Sequence, residues 1–97
     1  MKKLVLVFLA LLTLSSMQLL AQDLAIKGKV TDNAGQPLVG VTVSVKGTSR
    51  GTGTDSNGDY SIKAPSNGTL VFNFIGFVSV EAAVNGRTSI SVQMKED

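Results

Sequence analysis

Alternation of apolar and polar side chains with a period of two is the feature that most constrains this chain. From 39 to 46 the sequence VGVTVSVK places a valine at every odd position and a small or polar residue at every even one. A period of two puts successive side chains on opposite faces of a β-strand, whereas a helix needs apolar residues at i, i+3, i+4 and i+7. No window after residue 21 follows the helical spacing, so the pattern predicts strands.

Six further runs show the same alternation, wholly or in part: 24–31, 50–54, 60–64, 70–75, 78–84 and 89–94. The Gly-rich run 50–54 (RGTGT) is typical of an edge strand, because glycine has no side chain to pack. Both faces of the run 70–75 (LVFNFI) are largely apolar, which is typical of a central strand. β-Branched residues, which suit a pleated surface, make up 21 of the 76 residues from 22 to 97.

Clusters of turn-forming residues separate these runs. DNAGQP occupies 32–37, DSNGD occupies 55–59 and PSNG occupies 65–68. Asn85-Gly86 is the strongest short hairpin signal, because both residues tolerate a positive φ. Seven short alternating strands with turns at this spacing predict an all-β sandwich or barrel.

The first 21 residues have the three-part pattern of a secretory signal peptide. Two lysines follow Met1, the run 4–14 (LVLVFLALLTL) is uncharged and apolar, and a more mixed stretch ends in Ala21. A retained membrane anchor is the alternative, but it needs about 20 apolar residues, and four polar residues dilute the run after position 12. The sequence therefore predicts a signal-peptide helix at 1–21, cleaved on export, and a mature β-domain at 22–97.

Charge and composition exclude several classes of function. Residues 22–97 hold seven Lys/Arg and seven Asp/Glu, and this zero net charge removes the main support for nucleic-acid binding. The chain has no His, Cys or Trp, which excludes a Ser-His-Asp triad, a cysteine nucleophile, a zinc or haem site and a disulfide. We therefore expect a protein that is not an enzyme, with no catalytic, cofactor-binding or metal site.

Two short motifs resemble ligand-binding loops. Asp55, Asn57 and Asp59 are spaced like the start of a calcium loop, but the twelfth position is Ser66 instead of glutamate, and strands flank the motif. A tight turn with Gly58 at positive φ is the favoured interpretation. The stretch 47–53 (GTSRGTG) lacks the Gly-Lys-Ser/Thr ending and the helix of a phosphate loop, so we expect an edge segment with a solvated arginine.

Acidic and aromatic residues are the other candidates for binding or catalytic groups. Asp32, Asp55, Asp59 and Glu81 are the acids away from the chain ends; three fall in predicted turns and Glu81 on a polar face, so solvated roles are favoured over a glycosidase pair. The aromatic residues that could form a sugar-stacking platform are Tyr60, Phe72, Phe74 and Phe77. Alternation within 70–74 favours a core position for them, least clearly for the last, which follows Gly76 at a predicted bend.

Longer motifs carry a family resemblance. GxVxDxxGxPLxGVxV begins at Gly28, GTxTDxxGxYxI begins at Gly51, and FIGF occupies 74–77. Together they resemble the carboxypeptidase-regulatory-like domain, a prealbumin-like β-sandwich of seven strands, and the likeness covers roughly residues 24–94. More narrowly, the chain is similar to the N-terminal extension of SusC/RagA-type TonB-linked outer-membrane receptors, in which this domain directly follows a signal peptide.

The resemblance implies a non-catalytic accessory or interaction domain in the periplasm or on the periplasmic side of the outer membrane. Its partner would be an envelope protein or the plug and barrel of a receptor, and the chain could be a receptor fragment or a free-standing domain. We expect a partner strand to add to the sheet at the weak run 50–54 or at the C-terminal tail. A small secreted carbohydrate-binding module is the alternative function. Peptidase activity is not implied, because no histidine is present to hold a metal.

We predict that Val43→Asp unfolds the domain. Val43 lies inside the valine row, so the substitution would bury an unpaired carboxylate. A domain of this length has a net stability of about 4–11 kcal/mol, which such a charge largely removes. Thermal melting followed by circular dichroism measures the effect, and an unchanged cooperative melt would show that the face assignment is wrong.

Overall fold

Strands account for all the regular structure between residues 23 and 97, which are the residues that the computed structural model describes. The predicted signal-peptide helix at 1–21 lies outside them. The seven strands are β1 (Leu24–Thr31), β2 (Thr42–Val45), β3 (Gly51–Gly53), β4 (Asp59–Ala64), β5 (Thr69–Asn73), β6 (Val80–Ala83) and β7 (Val92–Gln93). The predicted all-β class is confirmed, and each of the seven alternating runs overlaps one strand.

The strands form two sheets that pack as a sandwich. One sheet has the order β4-β1-β7 and the other the order β3-β2-β5-β6. All strand pairs are antiparallel except β1 with β7, which is parallel. The Gly-rich strand β3 lies at a sheet edge and β5 lies inside its sheet, as their sequences predict.

The core lies between the two sheets and takes every second residue of the strands. In β4 the burial pattern alternates strictly, with Tyr60, Ile62 and Ala64 inside. Across the core, the rings of Tyr60 and Phe72 meet edge to face with their centroids 5.5 Å apart, which joins the two layers. Thirteen apolar side chains of residues 23–97 are buried: Ile26, Val30, Val41, Val43, Val45, Tyr60, Ile62, Ala64, Leu70, Phe72, Val84, Ile90 and Met94.

Three of the four alternating valines at 39, 41, 43 and 45 face the core. Val41, Val43 and Val45 are buried, but Val39 is 58% exposed. Gly40 adopts a φ of +83° and ends the extended backbone, so the alternation does not continue back to residue 39. The prediction of a strand from 39 onwards is therefore wrong at its beginning, where a turn takes the place of the strand.

The Asn85-Gly86 turn forms, but it does not make a hairpin. Both residues have positive φ (49° and 73°), and the Arg87 amide donates to the Val84 carbonyl at 2.9 Å. However, β6 before the turn and β7 after it belong to different sheets. The local geometry of the turn is as predicted, whereas the hairpin prediction is wrong because the chain crosses to the other layer and pairs with β1.

At Gly28, the backbone of β1 and that of the segment before β7 lie too close together for any side chain. A Cβ built at Gly28 would lie 1.8 Å from the Ile90 carbonyl oxygen and 2.6 Å from its carbonyl carbon. Both are backbone atoms, so no rotamer change can relieve the contact. The segment around residue 90 therefore depends on glycine here in order to close against β1.

We expect Gly28→Ala to lower the free energy of unfolding by about 2–4 kcal/mol, because the new methyl group must push the 89–91 backbone away. Gly47→Ala is the matched control: Gly47 has a φ of +80° and no neighbouring atom within 4 Å, so only local strain of about 1 kcal/mol applies. Urea denaturation of both variants measures the difference, and equal losses would contradict the steric argument.

Burial also changes the ionisation of Tyr60. Its side chain is 5% exposed, and its hydroxyl donates to the Ile90 carbonyl oxygen. Loss of solvation raises the pKa of Tyr60 to about 12, an effect that the positive charge of Arg87 partly offsets. The folded state therefore holds this proton to higher pH than the unfolded chain does, since the ordinary pKa of tyrosine is about 10.

The raised pKa predicts a loss of stability between about pH 10 and pH 12. Below that window both states are protonated and the contribution is fully present; within it the unfolded state ionises first and stability falls, by about 2–3 kcal/mol in all. Urea midpoints of the wild type and Tyr60→Phe between about pH 8 and pH 11.5 test this. The variant loses about 1 kcal/mol at neutral pH with the hydrogen bond, but lacks the extra alkaline decline. Parallel pH profiles would refute the assignment.

Candidate interaction surface

The sandwich has two ends that differ in what they expose. Strand β1 runs roughly 24 Å from Leu24 at one end, here called the N-terminal end, to Thr31 at the other. At the second end, here called the C-terminal end, the Leu38 amide donates to Val30 and the Met94 amide to Thr31. The chain therefore enters the described domain at one end and reaches Asp97 at the opposite end.

The large exposed apolar side chains of residues 23–97 all lie at the C-terminal end. They are Val39 (58% exposed), Ile75 (96%) and Val78 (47%), and we call them the apolar tip. Beneath them the half-buried rings of Phe74 and Phe77 pack with centroids 5.5 Å apart. Exposure of this kind, concentrated at one place, marks an interaction site more often than scattered exposure does.

A defined backbone conformation holds Ile75 outwards. Gly76 has a φ of +85°, and the Phe77 amide donates to the Phe74 carbonyl at 3.1 Å, so residues 74–77 form a closed turn. Asn73 and Phe74, with Ile75, line one side of an open groove of about 410 Å³, and Gly40 and Thr42 line the other. Ile75 is therefore shared by the apolar tip and the groove.

Thr54 positions the far wall of this groove, and nothing in its sequence context predicts that role. It is a buried polar residue whose hydroxyl accepts from the Val41 amide at 2.9 Å and donates to the Leu38 carbonyl. Its own carbonyl accepts from the Gly40 amide at 3.0 Å. A single threonine therefore holds the segment 38–41 in place. Its partners are distant in sequence, so a local alternation pattern cannot predict these contacts.

The last residues of the chain run alongside the turn of the apolar tip. Phe77 and Glu96 form an antiparallel bridge, the Val78 amide donates to Lys95 at 2.8 Å, and the Asp97 amide donates to Gly76 at 3.0 Å. Residues 95–97 of the tail therefore run antiparallel to 76–78 within this chain.

Charge is distributed unevenly between the two ends. Five of the seven carboxylate residues between 23 and 97 lie at the C-terminal end: Asp32, Asp55, Asp59, Glu96 and Asp97. Four of the seven basic residues lie towards the N-terminal end: Lys46, Arg50, Lys63 and Arg87. The part of the domain that exposes the apolar tip is therefore negative, although the domain as a whole is neutral.

Two of the acids singled out as possible ligands, Asp32 and Asp55, close turns with their own carboxylates. The Asp55 carboxylate accepts from the amides of Asn57 and Asp59, each at 2.9 Å, and Gly58 has a φ of +79°, which confirms the predicted turn. The Asp32 carboxylate accepts in the same way from the amides of residues 34 and 36. Asp59 itself is the first residue of β4, opposite Lys29 in the ladder, so its assignment to a turn is wrong.

Arg50 is not the freely solvated charge that its sequence suggests. It forms an ion pair with Asp23 and donates to the Lys63 carbonyl at 2.9 Å. Asp23 and Lys63 lie beside or within the sheet that contains β1 and β4, whereas Arg50 directly precedes β3 of the other sheet. The arginine therefore links the edges of β3 and β4. Glu81, by contrast, is a surface residue as predicted, paired with Lys46 at 2.8 Å with both side chains more than half exposed.

The aromatic residues divide into two groups. Tyr60 and Phe72 are core residues, as predicted. Phe74 and Phe77 pack against that core but remain partly exposed at the C-terminal end. Sequence alternation placed Ile75 at the end of a central strand with two largely apolar faces and so missed the apolar tip, because β5 ends at Asn73. The one local signal is a large apolar residue directly before a glycine at a bend.

Comparison with known proteins gives the family and relatives. The model of the CarboxypepD_reg-like domain family matches residues 26–97. TonB-dependent receptor P3 of Formosa agariphila is 44% identical over 79 residues, and TonB-dependent receptor SusC of Bacteroides thetaiotaomicron is 37% identical over 82 residues. These alignments cover 79% and 84% of this chain but only 8% of either receptor.

Solved structures show the same fold at low identity. A type II cohesin–X–dockerin complex from Acetivibrio cellulolyticus aligns with a TM-score of 0.63 and 22% identity, covering 75% of this chain and 58% of the other. A 3-chlorocatechol 1,2-dioxygenase from Rhodococcus opacus aligns with a TM-score of 0.58 and 13% identity, covering 79% and 61%. Among residues 23–97 there is no helix long and apolar enough to cross a membrane.

Proposed function

The chain belongs to the family of CarboxypepD_reg-like domains, and from that membership we propose that it is a non-catalytic interaction domain of the bacterial cell envelope. It acts on the periplasmic side of the outer membrane, joined to a TonB-dependent receptor or working beside one. The observation that carries this proposal is the 44% and 37% identity to two such receptors over most of the β-domain. Its export depends on the signal peptide predicted at 1–21.

A role without catalysis is supported by what the polar side chains do. The carboxylates of Asp32 and Asp55 accept backbone amides within their own turns, and Glu81 pairs with a lysine at the surface. The Tyr60 hydroxyl is engaged by a backbone carbonyl inside the core. General acid–base chemistry needs such groups free and within reach of a substrate. The exposed features that remain suit contact with another protein.

Binding of a carbohydrate is the competing function, and it requires flat aromatic faces open to solvent. Tyr60 and Phe72 are buried, and the partly exposed rings of Phe74 and Phe77 pack on each other. An apolar aliphatic side chain, Ile75, is the most exposed large group. Recognition of protein is therefore favoured over recognition of sugar.

The test is to find the domain and its partner in intact cells. We would insert an epitope tag ahead of β1, at the end opposite the apolar tip, and express the tagged chain in its own bacterium. We expect protease to reach the tag only after the outer membrane is permeabilised, and cross-linking in living cells to capture a TonB-dependent receptor identified by mass spectrometry. Val43→Asp, which disrupts the fold, serves as the control and should lose the capture.

Other results would overturn the proposal. A tag found in the cytoplasm, or cross-linking that recovers no receptor from the wild type, would contradict a receptor-associated role. Binding to a glycan array by the purified chain, absent from Val43→Asp, would favour the carbohydrate-binding module. Turnover of a peptide or glycan would show that the protein is an enzyme.

A further inference from the structure

We propose that the outer face of the three-stranded sheet rests on a membrane surface that carries anionic phospholipid headgroups. The face consists of the side chains that β1, β4 and the segment 89–93 turn away from the core, and we call it the lysine face. This role rests on the proposed function, which puts the domain beside the outer membrane, and deepens it by naming a surface and its partner. Charge, polarity and shape each point to that partner.

Strand β1 turns every second side chain outwards, and so do its two neighbours in the sheet. Lys27 lies opposite Ser61 of β4 on one side and opposite Ser89 on the other. All members of the face are exposed except the half-buried Thr31. They are Ala25, Lys27, Lys29, Thr31, Asp59, Ser61, Lys63, Ser89, Ser91 and Gln93.

Positive charge on the lysine face is not neutralised by the residues around it. Within residues 23–97 none of its three lysines forms an ion pair, and Asp59 is the one carboxylate on the face. Three ammonium groups against one carboxylate give the face a net charge of +2. The outer face of the four-stranded sheet differs, because Lys46 and Glu81 pair there at 2.8 Å and leave no net charge. An anionic partner is therefore attracted to one sheet and not to the other.

The lysine face lacks the large side chains that anchor a protein partner. Its one apolar side chain is the methyl group of Ala25. Specific protein interfaces take most of their binding energy from buried aromatic and large aliphatic groups. Strand addition is not available at the centre of the face either, because β1 is paired on both sides, with β4 and with β7. Recognition through charge and hydroxyl groups is what this face offers.

The shape of the face suits phosphate groups arranged in a plane. Long lysine side chains stand among short ones, since serines flank Lys27 on both neighbouring strands. Two open depressions, of about 420 and 270 Å³, meet at Lys29 and Ser91. Phosphate groups can enter them and accept hydrogen bonds from ammonium and hydroxyl groups. A lipid surface presents many such groups at once, so all three lysines can be satisfied without a partner of matching shape.

The experiment measures binding of the purified chain to lipid vesicles by co-sedimentation. Vesicles of phosphatidylglycerol and phosphatidylcholine in equal amounts are the anionic probe, and vesicles of phosphatidylcholine alone are the neutral one. We expect binding to the anionic vesicles that weakens as salt rises from about 0.05 to about 0.5 M. Binding to the neutral vesicles measures what the apolar leader at 1–21 contributes, so the difference between the two belongs to charge.

A paramagnetic lipid identifies the face that touches the membrane. In bicelles of the same anionic composition, we expect it to broaden the amide signals of β1, β4 and 89–93 more than those of β2 and β5. The leader is common to every sample, and a tether at the N-terminal end alone would not favour one sheet over the other.

Paired variants test the lysines themselves. Lys27→Gln with Lys29→Gln should weaken binding to the anionic vesicles about fivefold for each lysine removed. Lys27→Arg with Lys29→Arg should retain binding, because arginine keeps the charge. Lys46→Gln, the matched neutralisation on the other sheet, should change binding by less than about twofold. All three positions are exposed, so an amide spectrum unchanged elsewhere verifies that each variant is folded.

Several outcomes would overturn the contact with lipid. They are equal binding to both kinds of vesicle, unaltered binding of the double glutamine variant, and broadening centred on the four-stranded sheet. A soluble glutamate-rich peptide that shifts the β1 amides, when anionic vesicles do not bind, would make an acidic protein segment the occupant.

The receptor association is tested separately, through capture by the wild type in cells. We expect the double glutamine variant of Lys27 and Lys29 to capture a receptor at the wild-type level, because the lysine face contacts lipid. Loss of capture by this folded variant would show that the face contacts the receptor instead. Either proposal can therefore fail while the other stands.

Discussion

Burial of one face of each sheet against the other is the interaction on which the rest of this domain depends. Fewer than 80 residues provide the core, so each inward side chain is a large share of the total stability. The edge-to-face contact of Tyr60 with Phe72 joins the two layers. The close approach of Gly28 to Ile90 lets the last segment close against β1. Without that core, the isolated strands would be too short to persist.

Because the strands are committed to the core, the features that distinguish this domain lie at its ends. The carboxylates of Asp32 and Asp55 accept backbone amides of the turns in which they lie. These acids therefore have a structural role. Thr54 holds the 38–41 segment from inside. What remains free at the C-terminal end is an apolar side chain, Ile75, on a turn that the backbone keeps in place.

The fold by itself says little about function. Proteins with the same arrangement include a cohesin–dockerin complex and a dioxygenase, and identities of 22% and 13% extend the likeness to architecture alone. The receptors from Formosa and Bacteroides are different, because their identity to this chain is high enough to define a family.

The sequence alone determined the β-class, the inward faces and the local turns, because these depend on a period of two and on the φ preferences of Asn, Asp and Gly within a few residues. It predicted the burial of Val43, the turn at Asp55 and the edge position of β3. Tertiary structure decided where the Asn85-Gly86 turn sends the chain, which partners Arg50 finds, and that Ile75 is left uncovered. Those outcomes depend on contacts between residues distant in sequence, and a local pattern carries no information about which distant segment arrives beside it.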